Sequence, residues 1–225
     1  MTAATPSADT SGAAAPLLVM EGISKDFPGV QALAGVDLRL YPGTVTALVG
    51  ENGAGKSTLV KILTGIYRPD AGRIALNGEE IVVPSAHAAM QAGITAIHQE
   101  TVLFDELSVT ENIFLGQQLT GRFGLLDWPA MRARARDILA SLEADVDPDS
   151  RLKDLGIAQK HMVAIARALS VDAQIVIMDE PTAALSYREV EDLYAIVEKL
   201  KRDGKAILFI SHKFEEIFRI ADRYT

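Results

Sequence analysis

Gly50, Glu51, Asn52, Gly53, Ala54, Gly55, Lys56 and Ser57 follow the pattern G-x-x-x-x-G-K-[ST], set between a strand-like run and a helix-like run. Thr44 to Val49 is apolar and β-branched enough for a buried strand, while Ser57 to Leu63 carries Leu59, Val60, Ile62 and Leu63 without a breaker. In such a strand–loop–helix unit the glycines let successive N–H groups curl around an anion at a helix N-terminus. Lys56 then brings charge to the β- and γ-phosphates and Ser57 a hydroxyl to Mg2+, so a nucleoside triphosphate is the expected ligand. The bland alternative is a glycine-rich turn with no function, and the flanking strand and helix argue against it.

Other short apolar runs also end in residues of catalytic type. Ile94 to Ile97 leads into His98, Gln99 and Glu100; Ile175 to Met178 leads into Asp179 and Glu180; Ala206 to Ile210 leads into Ser211 and His212. Between them, Met162, Ile165, Ala166 and Leu169, and then Val190, Leu193, Tyr194, Val197 and Leu200, recur at helical spacing. Strands alternating with helices give an α/β fold with a mostly parallel sheet covered on both faces. Ligands of such sheets gather at the carboxyl ends of the strands, where all these polar residues are expected to converge. If the acidic strand neighbours the glycine loop, Asp179 holds Mg2+ and Glu180 polarises the attacking water. Gln99 and His212 fit a sensor set for the γ-phosphate. Phe27, ahead of Pro28 and Gly29, offers a face to an adenine ring, although an isolated phenylalanine is more often core. His87, His98 and His161 read as surface or packing residues.

Helix boundaries agree. Ser186 with Glu189, and Ser108 with Glu111, fit capping boxes. Ser85 to Ala92 followed by Gly93 reads as a short helix with a glycine C-cap, and Asp127-Trp128-Pro129 opens another, with Met131, Ala135, Ile138, Leu139 and Leu142 as its buried stripe. A helical subdomain is expected at about 104–169, with a small antiparallel sheet from Val19 to Tyr41 and Arg73 to Val82. Arg132, Arg134 and Arg136 spread around one helix and read as a solvated face.

The 225 residues, 48% hydrophobic, suffice for one substantial core with a small subdomain attached. A net charge of -8 opposes a nucleic-acid partner, and the absence of cysteine removes disulfides and thiolate zinc sites. Residues 1–16 are small, Pro- and Ser-containing and are expected to be a disordered tail. They lack the basic and apolar regions of a secretory signal. No apolar run approaches the roughly 18 residues of a membrane span, so the domain reads as soluble, touching a membrane only through a partner.

In this order the residues resemble the ATP-binding subunit of ABC transporters, from about Leu18 to the end of the chain. The resemblance implies a P-loop NTPase core over 17–225, with an antiparallel β subdomain and an inserted α-helical subdomain. It further implies that Phe27 stacks on adenine, that Gly50 to Thr58 is the Walker A loop for ATP, and that Gln99 is the Q-loop. Ile175 to Asp179 is then the Walker B strand, Glu180 the general base and His212 the switch histidine, with Ser57, Gln99 and Asp179 around Mg2+. The stretches Gly29 to Leu33, Ile97 to Glu100, Glu111 to Gly116 and Ile210 to Ile217 are similar to the carbohydrate-importer branch. That branch implies import of a sugar or sugar alcohol through transmembrane permease subunits, fed by a periplasmic sugar-binding protein. It also implies a second ATP-binding domain in a head-to-tail dimer and a peripheral place on the cytoplasmic face of the inner membrane.

Two departures stand out. Where the family carries L-S-G-G-Q, acting across the dimer on the partner's ATP, this chain has Leu155, Gly156, Ile157, Ala158 and Gln159. Gly156 lacks the family's hydroxyl, and a hydrogen bond to a charged group is worth roughly 1.5–3 kcal/mol. Ser186 stands where many relatives carry the D-loop aspartate; its capping role is intact, since serine caps about as well. Because importers of this branch commonly carry two such domains in one polypeptide, an amino-terminal fragment of a longer protein is expected. The rival readings are a soluble ABC-type ATPase of DNA repair or translation, and a degenerate domain that binds ATP as a regulator.

Overall fold

The structure, a computed structural model, describes residues 15–51, 53–97, 103–171, 173–183 and 185–225. Most of the expected tail lies outside these residues, as do Asn52, His98, Gln99 and Glu100.

The chain opens with a hairpin of β1 (Leu18–Phe27) and β2 (Val30–Leu40), turned at Pro28 and Gly29, where Gly29 has φ 81°. β3 (Val45–Leu48) leads through the glycine loop into α1 (Lys56–Leu63). A second hairpin, β4 (Ala71–Leu76) and β5 (Glu79–Ile81), turns at Asn77 and Gly78 with φ 53° and 82°. Positive φ at both central residues is the turn that Asn-Gly favours, because its twist matches that of the strands. Then follow α2 (Ala86–Gln91), β6 (Ile94–Ile97), α3 (Val109–Ile113), α4 (Trp128–Ser141) and α5 (Ile157–Ser170). β7 (Ile175–Asp179), α6 (Tyr187–Arg202), β8 (Ala206–Ile210), α7 (Phe214–Ile220) and β9 (Arg223–Tyr224) complete the chain.

β2, β1, β4 and β5 form an antiparallel sheet in that order, as expected for the turn-rich segments. The other sheet is parallel, in the order β6-β7-β8-β3-β9. β8 is apolar at every position, as are Ile175 to Met178 of β7, because both faces are covered. Ile175, Ile177, Leu208 and Ile210 join α1 and the antiparallel sheet in one buried cluster, while Val176, Met178, Ile207 and Phe209 join α5 and α6 in the other. The parallel order sets the carboxyl ends of β3, β6, β7 and β8 along one edge.

One expectation needs correction. The acid-bearing β7 is not the immediate neighbour of β3, since β8 lies between them. Adjacent strands are about 4.8 Å apart, so β7 stands about 10 Å from the glycine-loop strand and the histidine-bearing strand fills the interval.

The helical segment is built as its caps suggest. Ser108 accepts from the Glu111 N–H at 3.2 Å, and the Glu111 carboxylate accepts from the Ser108 N–H at 2.7 Å. Asp127 accepts from the Ala130 N–H at 3.0 Å and so starts α4. Met131, Ala135, Ile138, Leu139 and Leu142 pack into the cluster that also holds Val163 and Ala166 of α5 and Val176 of β7. The helices therefore share a core with the parallel sheet.

Candidate functional site

The glycine loop is fixed by sterics. Gly55 caps α1 with φ 86°, and Gly53 has the same φ. A Cβ on Gly55 would lie 2.5 Å from the Ala32 carbonyl oxygen and 2.7 Å from Leu33 Cδ2, so the loop is seated against the start of β2. No side chain caps α1 and no acid stands in its first turn, which leaves its N–H groups and positive dipole end for an anion. The Lys56 ammonium arches back over the loop and donates to the carbonyls of Gly50 (2.6 Å) and Glu51 (2.9 Å). Ala54 donates to the Glu51 carbonyl at 3.1 Å, Ser57 is exposed and Thr58 half-buried.

At the end of β7, Asp179 and Glu180 are both half-buried. Glu180 has φ 47°, left-handed backbone for a residue with a side chain. Such a conformation costs about 1–3 kcal/mol and persists only where neighbours hold it. Here the Glu180 N–H donates to the Ile210 carbonyl of β8 at 2.9 Å, and its own carbonyl accepts from Ala183 at 3.2 Å. The strained backbone carries the Glu180 carboxylate to 3.1 Å from His212 Nδ1. Neighbouring parallel strands thus deliver a carboxylate and an imidazole to one point, with His212 open to solvent.

Behind this pair lies a polar cluster that the sequence did not announce. Glu216 of α7 is buried, with Oε1 accepting from the Thr182 hydroxyl and Oε2 from the Ser211 hydroxyl, both at 2.7 Å. Lys213 Nζ is 3.0 Å from the same Oε1. Burial pushes the Glu216 carboxyl up, but the hydrogen bonds from Ser211, Thr182 and Lys213 outweigh it and hold it below its usual value. The only sequence signal was a glutamate one helical turn after His212.

Phe27, at the closing end of β1, is half-buried and meets the edge of Tyr67, ring centroids 5.2 Å apart at 67°. Leu155 to Gln159 open α5. Gly156 is its cap, the Gln159 side chain accepts from the Gly156 N–H (3.2 Å) and donates to the Asp145 carbonyl (3.1 Å), and Ile157 is exposed. Leu155 and Ala158 are half-buried. The Glu189 carboxylate accepts from the Ser186 N–H at 2.6 Å at the start of α6. His87 is exposed and His161 half-buried, its imidazole pushed down by burial. Arg132, Arg134 and Arg136 are exposed, Arg132 pairing with Asp149 at 2.7 Å.

The family model described as "ABC transporter" matches residues 33–183. The chain is 70% identical over 210 residues to the ribose import ATP-binding protein RbsA 1 of Rhizobium meliloti (strain 1021), covering 93% of this chain and 42% of that protein. It is 64% identical to the ribose import ATP-binding protein RbsA of Jannaschia sp. (strain CCS1), covering 99% of this chain and again 42% of the relative. The chain thus spans less than half the length of these relatives. A nucleotide-free ATP-binding cassette from an ABC transporter superposes with TM-score 0.83 at 27% identity, over 93% of this chain and 87% of the other. A cassette in its ADP conformation gives 0.82 at 27% identity, over 93% and 86%.

Proposed function

The chain belongs to the ABC transporter family, and from that premise we propose that it binds and hydrolyses ATP to energise import of a sugar or sugar alcohol through a membrane permease. The observation that carries the reading is the Glu180–His212 contact of 3.1 Å on the edge that also bears the glycine loop. The names of the relatives, ribose import proteins, support the substrate class.

The residues divide the work. Gly50 to Thr58 wraps the phosphates with backbone N–H groups, while Lys56 exchanges its two carbonyl partners for phosphate oxygens. Glu180 orients water and takes its proton as the oxygen attacks the γ-phosphorus and the bond to the β-phosphate oxygen breaks. His212 holds the Glu180 carboxylate and faces the transferred phosphoryl group. Phe27 is assigned to the adenine ring.

A magnesium ion fits these residues. Among the described residues no three His, Cys, Asp or Glu side chains group as metal ligands. Mg2+ asks for less, one or two carboxylates with substrate phosphates and water. Asp179 and Ser57 would hold it, with Gln99 assigned as a further ligand from outside the described residues, and the ion would neutralise charge on the β- and γ-phosphates.

In the proposed assembly a second ATP-binding domain faces this one head to tail, with Leu155 to Gln159 against the partner's ATP. The chain would sit peripherally at the cytoplasmic face of the inner membrane against the importer's permease, with a periplasmic sugar-binding protein acting indirectly from the other side. No helix among the described residues is long and apolar enough to cross a membrane. We assign 17–225 as the ATP-binding domain, with its helical subdomain at about 104–169.

Two variants test the assignments. Lys56→Ala removes a charged donor worth roughly 1.5–3 kcal/mol, so Mg-ATP affinity should fall about 10- to 150-fold in calorimetry, and unchanged affinity counts against the loop. Gly156→Ser returns a hydroxyl to the start of α5 and should raise hydrolysis at the partner's site about tenfold. Steady-state phosphate release reads this out, and an unchanged rate contradicts the signature role.

A further inference from the structure

Glu216 is a buried carboxylate with 8% exposure in a place where an apolar side chain would pack without cost of desolvation. Its two oxygens reach different strand ends. Oε1 accepts from Thr182, two residues beyond Glu180 on the turn leaving β7, and Oε2 accepts from Ser211, directly before His212 at the end of β8. Both hydroxyls are themselves buried, at 3% and 4% exposure, so each needs this acceptor. Ser211 Oγ in turn accepts from the Lys213 N–H at 3.1 Å, which fixes the backbone on the far side of His212. The backbone bond between strand ends, Glu180 N–H to the Ile210 carbonyl, leaves the following turns unspecified, and the carboxylate bridges those turns.

From this geometry we propose that Glu216 is a positioning residue for hydrolysis: it clamps the turns after β7 and β8 together so that the Glu180 carboxylate and the His212 imidazole stay at hydrogen-bonding distance. The proposal rests on the ATPase reading above. Glu216 also pairs with Lys213 Nζ at 3.0 Å, and it is through Thr182 and Ser211 that it acts on the Glu180–His212 pair. An aspartate would be one methylene short of spanning both hydroxyls, whereas a glutamine keeps the length and one carbonyl acceptor, and its amide can donate to the other hydroxyl. The clamp therefore tolerates glutamine better than any apolar side chain.

The test compares Glu216→Leu, Glu216→Gln, Thr182→Val and Ser211→Ala in the full-length protein assembled with its permease. A misplacement of about 1 Å costs on the order of 10²-fold, so Glu216→Leu should lower kcat about that far, with KM for Mg-ATP within about twofold because the glycine loop is untouched. Glu216→Gln should recover most of the rate. Thr182→Val and Ser211→Ala should each lower kcat, and neither should add to Glu216→Leu, since residues acting as a unit are not additive. These hydroxyl deletions decide the matter if the leucine variant does not fold. Wild-type kcat in Glu216→Leu, or a KM that rises as kcat falls, overturns the proposal. A wild-type protein that fails to hydrolyse ATP overturns the ATPase reading instead. The clamp is then judged by crystal structures of the variants: a Glu180–His212 pair opened beyond hydrogen-bonding distance supports it, and a pair kept at 3.1 Å overturns it.

Discussion

Glu180→Gln is expected to lower ATP turnover about 10²- to 10⁴-fold while leaving Mg-ATP affinity within about twofold. The amide has the carboxylate's shape and can still accept from His212 Nδ1, so the 3.1 Å contact and the turn held by Ile210 survive. What is lost is basicity, because an amide does not take a proton from water near neutral pH. Binding should be spared because the loop proposed to hold the phosphates, Gly50 to Thr58, lies between β3 and α1, with all of β8 between β3 and β7. Single-turnover hydrolysis in the assembled protein, with equilibrium nucleotide binding beside it, separates the two effects. Retained turnover removes Glu180 from the role of base. A parallel loss of affinity means instead that the variant disturbed the loop.

Gly55→Ala has the second largest expected effect, this time on binding. An added Cβ would sit 2.5 Å from the Ala32 carbonyl oxygen, a backbone atom of β2 and not the end of a flexible side chain. The residue would also have to keep φ near 86°, where L side chains lose roughly 1–2 kcal/mol. Overpacking adds typically 1–3 kcal/mol, and the loop relieves the sum by leaving β2 and turning its N–H groups off the phosphates. Mg-ATP affinity should fall about 30- to 5,000-fold, the equivalent of roughly 2–5 kcal/mol. Because Gly55 sits at the surface end of α1 and not in either buried cluster, the thermal midpoint should drop by only a few degrees, about what 1 kcal/mol does in a domain of this size. Gly53→Ala makes the control. It has the same φ but open space around the added carbon, and it should cost only the conformational part.

Local features were the legible ones. The four apolar runs became β3, β6, β7 and β8 almost residue for residue, because strands buried on both faces need unbroken Val, Ile and Leu. The caps at Ser85, Ser108 and Asp127 lie where short-range hydrogen-bonding rules put them. What local pattern cannot carry is the order in which strands pair. That β8, last but one in sequence, slips between β3 and β7 depends on crossover connections over 150 residues. The same holds for the clamp: Thr182 and Glu216 are 34 positions apart, and neither has a composition or spacing that names the other. Phe27 shows a third kind of limit. Its motif position suggested a stacking face, and the fold adds Tyr67, 40 positions away, in a T-shaped contact with the ring. Asn52 and Gln99 stay as the sequence left them, outside the described residues.

Sugar uptake and phosphate release, measured together in vesicles holding the full-length protein with its permease, test most directly whether the Glu180–His212 edge powers import. Expected is phosphate release that rises with a sugar-loaded binding protein, accompanies uptake, and disappears with uptake in Glu180→Gln. Uptake that continues at the wild-type rate in Glu180→Gln, or phosphate release indifferent to the sugar, contradicts the assignment.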